Sequence, residues 1–99
     1  MTEIIRDGDH AQMKLDDDLM TSTVETVKKK IKHALNAGAA QLSLDLGNVN
    51  SLDSMGLGLL VATHNSLQKN GHRLQLSNVS DDIAGLLRKL RLDTHFEIA

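Results

Sequence analysis

The residue best placed to do chemistry is Ser54, within Asp53-Ser54-Met55-Gly56-Leu57-Gly58-Leu59-Leu60, where an alternating strand pattern stops and an apolar helical pattern starts. A hydroxyl there stands at a helix N-terminus. The first amides of a helix lack intrahelical partners and carry the positive end of its dipole, so the position tolerates, and mildly favours, an added phosphate. Asp53 is suited to cap the same helix by accepting from its early amides, and could also present Ser54 to a modifying enzyme. Ser51 is a competing acceptor hydroxyl three residues upstream, which helix-terminus grounds alone do not eliminate.

Other chemistries find less support. A hydrolase built on Ser54 needs a base and an oxyanion hole, and the nucleophile-elbow pattern Gly-x-Ser-x-Gly is absent. Gly56-Leu57-Gly58 lacks the fuller spacing and lysine of a phosphate loop. Three adjacent carboxylates at Asp16, Asp17 and Asp18 could attract a cation, but without the spaced ligands and glycine of a calcium loop they read as a solvated acidic loop. His10, His33, His64, His72 and His95 show no metal-ligand spacing and read as scattered surface or boundary residues. No catalytic residue, metal or cofactor is expected.

Gly56 and Gly58 each cost roughly 0.8 to 1 kcal/mol relative to Ala inside a helix, so each needs a reason. For Gly56 two readings stand level: access for a partner backbone to Ser54, or close packing. For Gly58 packing is the expectation. Met55 and Leu57 flank the serine; both could form an apolar contact, although the spacing of Leu57 with Leu60, Val61 and His64 points to the core.

These residues must be held by a scaffold, and the pattern around them describes one. Residues 3–6 suggest a short strand, Asp7-Gly8-Asp9 a turn, and residues 10–15 a second strand with Ala11, Met13 and Leu15 on one side. Ser22 with Glu25 has capping-box spacing, and Val24, Val27, Ile31, Ala34 and Leu35 recur at helical spacing until Gly38. Lys28, Lys29, Lys30, Lys32 and His33 fall mainly on the polar side of that helix, as a solvated face or an acidic-partner patch. Leu42, Leu44 and Leu46 alternate in the next strand, Leu74 and Leu76 in the one after. Ser80 caps a helix carrying Ile83, Leu86, Leu87 and Leu90, and Phe96 and Ile98 look like a tail anchor.

Parallel strands covered on both faces usually read as unbroken apolar runs, whereas these strands are half polar. Short right-handed crossovers taken in sequential order put every helix on one face. The expected architecture is an α/β right-handed βα superhelix: an N-terminal hairpin, a mostly parallel four- to five-stranded sheet, and one comparatively open sheet face. The connections at residues 16–22, 47–54 and 78–82 should gather at one edge, where open α/β sheets place their sites.

Ninety-nine residues are enough for one domain, expected over 1–99. Thirteen acids against eleven bases give a net charge of −2, which suggests no bulk attraction to nucleic acid or anionic lipid. Phe96 is the only aromatic of the Phe/Trp/Tyr class, which removes the stacking platforms of single-strand readers. No stretch approaches ~20 apolar residues, and the first six residues do not read as a secretory signal. With no cysteine, a cytoplasmic address is expected.

Four segments then take on a family likeness: Gln41-Leu42-Ser43-Leu44-Asp45-Leu46, Leu52-Asp53-Ser54-Met55-Gly56-Leu57-Gly58, Leu74-Gln75-Leu76-Ser77-Asn78-Val79 and Leu90-Arg91-Leu92-Asp93-Thr94-His95-Phe96. Together they resemble the STAS domain of bacterial anti-sigma factor antagonists over nearly the whole chain. The most specific part is the Asp-Ser-x-Gly-Leu segment, and the resemblance implies regulatory phosphorylation at Ser54. It implies a partner switch: the unphosphorylated protein binds an anti-sigma factor that is also a serine kinase with a histidine-kinase-like ATP fold. That binding relieves inhibition of a sigma factor or another output. The kinase switches the antagonist off, a metal-dependent serine phosphatase restores it, and catalysis belongs to the partners. The implied contact surface takes Asp53, Ser54, Met55, Gly56 and Leu57 with Asp18, Met20 and Thr21. Nucleic acid and direct membrane insertion are not expected, and the chain is expected as a monomer or weak dimer. The alternative within the resemblance is a STAS scaffold subunit of a transporter or stress-sensing complex. Where relatives commonly read Leu-x-Gly-x-Leu-Asp, this chain has Leu15-Asp16-Asp17-Asp18-Leu19-Met20, so the usual glycine is Asp17 and the usual aspartate is Met20.

Overall fold

The computed structural model describes residues 3–98, which build one five-stranded sheet and three helices. In chain order these are β1 (Glu3–Asp7), β2 (His10–Lys14), α1 (Val24–Asn36), β3 (Gln41–Asp45), α2 (Ser54–Gln68), β4 (Gln75–Ser77), α3 (Asp81–Lys89) and β5 (Glu97–Ile98). Spatial order follows chain order. β1 pairs antiparallel with β2 across the Gly8 turn, and every later neighbour is parallel. Gly8 takes φ +63°, a left-handed conformation that a glycine adopts without a Cβ penalty.

Alternation places the core. Ala11, Met13, Leu15, Leu42, Leu44, Leu46, Leu74 and Leu76 are all buried, while Gln12, Lys14, Ser43, Asp45, Gln75 and Ser77 stand on the other face. Register explains the match: Met13 lies beside Leu44, and Leu44 beside Leu76, so one row of apolar side chains crosses the sheet. Val24, Val27, Ile31 and Ala34 of α1, Leu59, Leu60 and Leu67 of α2, and Ile83 and Leu87 of α3 join these strand residues in one core. The open face carries its own polar line. His10 Nε2 and Ser43 Oγ are 2.7 Å apart, and Ser43 Oγ donates to Gln75 Oε1 at 2.6 Å.

Several expectations change in the structure. The Ser22–Glu25 capping box does not form: α1 begins at Val24, with Thr23 at the cap and no side-chain cap bond. Thr23 Oγ1 instead accepts from the Met20 amide at 3.0 Å and donates to the Asp18 carbonyl at 2.7 Å, so a turn ahead of the helix captures the hydroxyl. Leu90 lies beyond α3 and is 47 % exposed, and Ile98 is 37 % exposed, leaving Phe96 as the buried anchor of the C-terminal segment. Arg73 fastens that segment from outside, its guanidinium donating to the carbonyls of Thr94, His95 and Phe96 at 2.7–2.9 Å.

His64 is the sharpest departure from the surface-histidine expectation, being only 2 % exposed. Its ring meets Phe96 edge-on with centroids 5.4 Å apart, and its Nδ1 accepts from the Leu74 amide at 3.3 Å. Burial holds its pKa below the usual 6.5, helped by the neighbouring His95 and Arg73 charges. Between 6.5 and that lower folded value the unfolded chain binds more protons than the folded one, so stability falls as pH drops through this window. The thermal midpoint should therefore decline on acidification below about pH 6.5. In His64→Asn, whose amide oxygen can replace Nδ1 as acceptor, that slope should flatten; an unchanged slope in a midpoint-versus-pH series would refute the assignment.

Candidate functional site

Local geometry places Ser54 before any long-range contact is counted. Asp53 sits at the N-cap of α2 with extended backbone angles (φ −101°, ψ −173°), and its Oδ1 accepts from the amides of Met55 and Gly56, both at 3.0 Å. Ser54 is thereby the first helical residue. It is exposed, and among the described residues its hydroxyl takes no hydrogen-bond partner. Met55, beside it, is 52 % exposed. Ser51 lies outside the helix, its carbonyl accepting from the Leu19 amide at 3.1 Å, so only Ser54 stands in the first turn.

The second carboxylate oxygen of Asp53 reaches a different segment. Asp53 Oδ2 accepts from the Thr21 amide at 2.9 Å and from the Thr21 hydroxyl at 2.8 Å. Four donors on one carboxylate favour its ionised form. Its pKa is accordingly lowered, chiefly by the Gly56 amide and then by the Thr21 amide and hydroxyl, with burial opposing them and the Met55 amide adding the least. The cap stays charged throughout the neutral range.

Residues 15–23 and 46–53 run together as a pair of loops. Leu19 and Leu52 form a parallel bridge, with the Asp53 amide donating to the Leu19 carbonyl at 3.3 Å. Asp18 is not simply a solvated carboxylate: its Oδ1 accepts from the Asn50 amide at 2.7 Å and the Ser51 amide at 3.1 Å. Asp18→Ala should loosen this junction. Amide exchange at Asn50 and Ser51 should speed up about fivefold, the factor expected for ~1 kcal/mol of lost hydrogen bonding. Unchanged protection at both amides would show that Asp18 does not hold the loops.

Leu19 also explains one glycine. It is 1 % exposed, and a Cβ built on Gly56 would overlap its carbonyl oxygen while lying 2.9 Å from its carbonyl carbon and 3.0 Å from its Cγ. Gly56 is buried, and this close packing accounts for a glycine at that position. Gly58 reverses the expectation: it is exposed, and a Cβ there would meet nothing within 4 Å. Leu57 is partly buried against the core. Of the residues drawn from the sequence, Thr21 is bonded to Asp53, Asp18 to the Asn50 and Ser51 amides, and Met20 to Thr23 in the same loop, whereas Gly56 is buried and Leu57 partly buried. Leu19 was missed, because its role rests on one close approach between distant segments.

Two concave regions flank the residues described above. A groove of about 220 Å³ runs between α1 and α2, lined by Val24, Glu25 and Lys28 on one side and Ser54, Met55 and Gly58 on the other. The open sheet face carries a recess of about 340 Å³ that includes Lys14, Ser43, Asp45 and Gln75. Asp45 is held ionised there, mainly by the Gly47 amide and then by the Asn78 side chain. Among the described residues, no three His, Asp or Glu side chains come together as a metal site, and no helix is long and apolar enough to cross a membrane.

The chain is similar to proteins of known class over most of its length. The STAS domain family model matches residues 2–99. The anti-sigma-B factor antagonist of Staphylococcus epidermidis is 31 % identical over 84 residues, 85 % of this chain and 78 % of that protein. Among solved structures, Thermotoga maritima TM1081 superposes with a TM-score of 0.90 at 23 % identity, covering 98 % of this chain and 84 % of the other. The phosphorylated form of the Bacillus cell fate determinant SpoIIAA gives 0.78 at 19 % identity over 100 % and 91 % of the two chains, and SpoIIAA in its unphosphorylated form gives 0.79 at 17 % over 100 % and 87 %. With its sequential βα order, its capped serine-bearing helix and these similarities, the chain belongs to the STAS domain family, among the regulatory, non-enzymatic anti-sigma factor antagonists.

Proposed function

We propose that this protein is a phosphoserine-controlled partner switch. Unphosphorylated, it binds an anti-sigma factor that is also a serine kinase with a histidine-kinase-like ATP fold, and so frees a sigma factor or another output from inhibition. Phosphorylation of Ser54 ends that binding, and a metal-dependent serine phosphatase reverses it.

The observation that carries this reading is the Ser54 hydroxyl itself, exposed at the first position of α2 on a charged, fourfold-bonded Asp53 cap. Helix-start geometry lets a phosphate be added without opening the core, because the amide end of the dipole faces it. The contact surface around it comprises Met55, Thr21, Met20 and Asp18. SpoIIAA supports a switch without refolding, since this chain matches its phosphorylated and unphosphorylated forms almost equally, at 0.78 and 0.79.

Affinity capture from the native host, with Ser54→Ala and Ser54→Asp as baits, tests the proposal. The alanine variant should retain a serine kinase of the stated fold, the aspartate variant should lose it, and mass spectrometry of the wild-type protein should find phosphate on the Ser54 peptide. Equal retention of the same partners by both variants would overturn the switch and indicate a docking scaffold.

A further inference from the structure

The groove between α1 and α2 places a cation where a modified Ser54 would need one. Ser54 lines one wall of this space, about 220 Å³ in volume, and Lys28 lines the opposite wall one helical turn into α1. Lys28 also borders the continuation of the groove towards Ile31 and Leu35 and is an exposed residue, as suits a long side chain whose stem can cover apolar surface while its charge stays in water. Among the described residues no carboxylate or carbonyl takes that ammonium as a partner. Leu59 and Ala62 complete the lining, and Gly58, on the Ser54 wall, contributes no side chain to the space, since a Cβ there would touch nothing within 4 Å.

We infer that Lys28 is the intramolecular counter-ion of a phosphate on Ser54, drawing it across the α1–α2 groove into a bridge between the two helices. This rests on the phosphoserine reading above and adds to it the residue that receives the charge. A phosphate at the first helical position has two outlets, outward past Met55 or sideways over Gly58. Among the described residues that line the groove, the positive side chain is Lys28. Lysine suits the task as a flexible point charge with three donors, able to follow a tetrahedral phosphate. The other charged groups facing the site are carboxylates, Glu25 on the α1 wall and Asp53 at the cap, and both oppose the phosphate dianion. Lys28 is therefore the side chain that decides which way the modified serine turns. The phosphorylated groove would be filled and spanned, whereas the unmodified groove stays open beside Met55.

The test reads the phosphate directly. Phosphoserine is installed at position 54 during translation by stop-codon suppression, and its second ionisation is followed by ³¹P NMR against pH in low salt. The midpoint should lie about 0.5 pH unit lower in the otherwise wild-type chain than in Lys28→Gln, as expected for an exposed ion pair. The difference should shrink as ionic strength rises. Lys28→Arg should keep the low midpoint, and Lys29→Gln, whose side chain does not line the groove, should leave it unchanged. Equal midpoints with and without the Lys28→Gln substitution, or an equal shift from Lys29→Gln, would overturn the inference. Because the phosphate is placed by translation, this outcome is independent of whether a cellular kinase uses Ser54, which the capture experiment decides.

Discussion

Phosphorylation of Ser54 should weaken binding to the proposed kinase partner about a hundredfold, equivalent to roughly 3 kcal/mol, without lowering the thermal midpoint, which should rise by no more than about 8 °C. The two halves of this expectation have separate causes. Within the isolated protein, the added −1.5 to −2 charges stand beside the exposed amide end of α2, an arrangement worth about 0.3 to 1 kcal/mol in the stabilising direction. The Ser54 hydroxyl is exposed and takes no hydrogen-bond partner among the described residues, so its modification breaks nothing. At an interface the balance reverses. The same charge must shed water against a partner surface beside the Asp53 carboxylate. Titration calorimetry with the captured kinase domain measures the first half and thermal denaturation the second. Added salt separates the causes, because a loss dominated by repulsion recovers with ionic strength, whereas a desolvation loss does not. Equal affinities for the phosphorylated and unphosphorylated proteins would refute the expectation.

Gly56→Ala should destabilise the protein by about 1–2 kcal/mol and lower its midpoint by roughly 5–15 °C, while Gly58→Ala should raise the midpoint by about 4–8 °C. Both changes gain the same helix propensity, about 1 kcal/mol. At Gly58 nothing opposes the gain, since the new methyl enters open space. At Gly56 the methyl would occupy the position of the Leu19 carbonyl, the group that accepts from the Asp53 amide. Overpacking costs about 1–3 kcal/mol, and an overlap with backbone rather than a flexible side chain belongs at the upper end, about 2–3 kcal/mol, which exceeds the propensity gain. Relief requires moving the Leu19 loop, and with it the Thr21 contacts to the Asp53 cap. Gly56→Ala should therefore also weaken partner binding through the misplaced loop. Parallel melts of the two variants settle the matter, and a shift of the same sign in both would refute the packing assignment.

Much of the scaffold could be read from the sequence because the physics involved is local, whereas the choice of Ser54 over Ser51 came from the family resemblance and not from helix-end position alone. Alternation at period two separates Leu42, Leu44 and Leu46 from Ser43 and Asp45 whatever surrounds them, and the pleat then assigns the faces. Half-polar strands in sequential βα order implied one open sheet face, and the polar line through His10, Ser43 and Gln75 occupies it. Asp53 was recognisable as a cap since the group it serves lies two and three residues away. Local rules failed where a distant segment intervened. Ser22 and Glu25 have the spacing of a capping box, yet the turn at Met20 takes Thr23 first and the helix starts later. Nothing in the order of residues shows that Leu19 presses on Gly56, that Asp18 holds Asn50 and Ser51, or that His64 is sealed beneath Phe96. Periodicity and capping are properties of a few consecutive residues, so the chain declares its strands, its helices and the start of α2 by itself. The fit of one loop against another is made between segments far apart along the chain, leaves no periodic mark, and is decided only when the sheet brings those segments together.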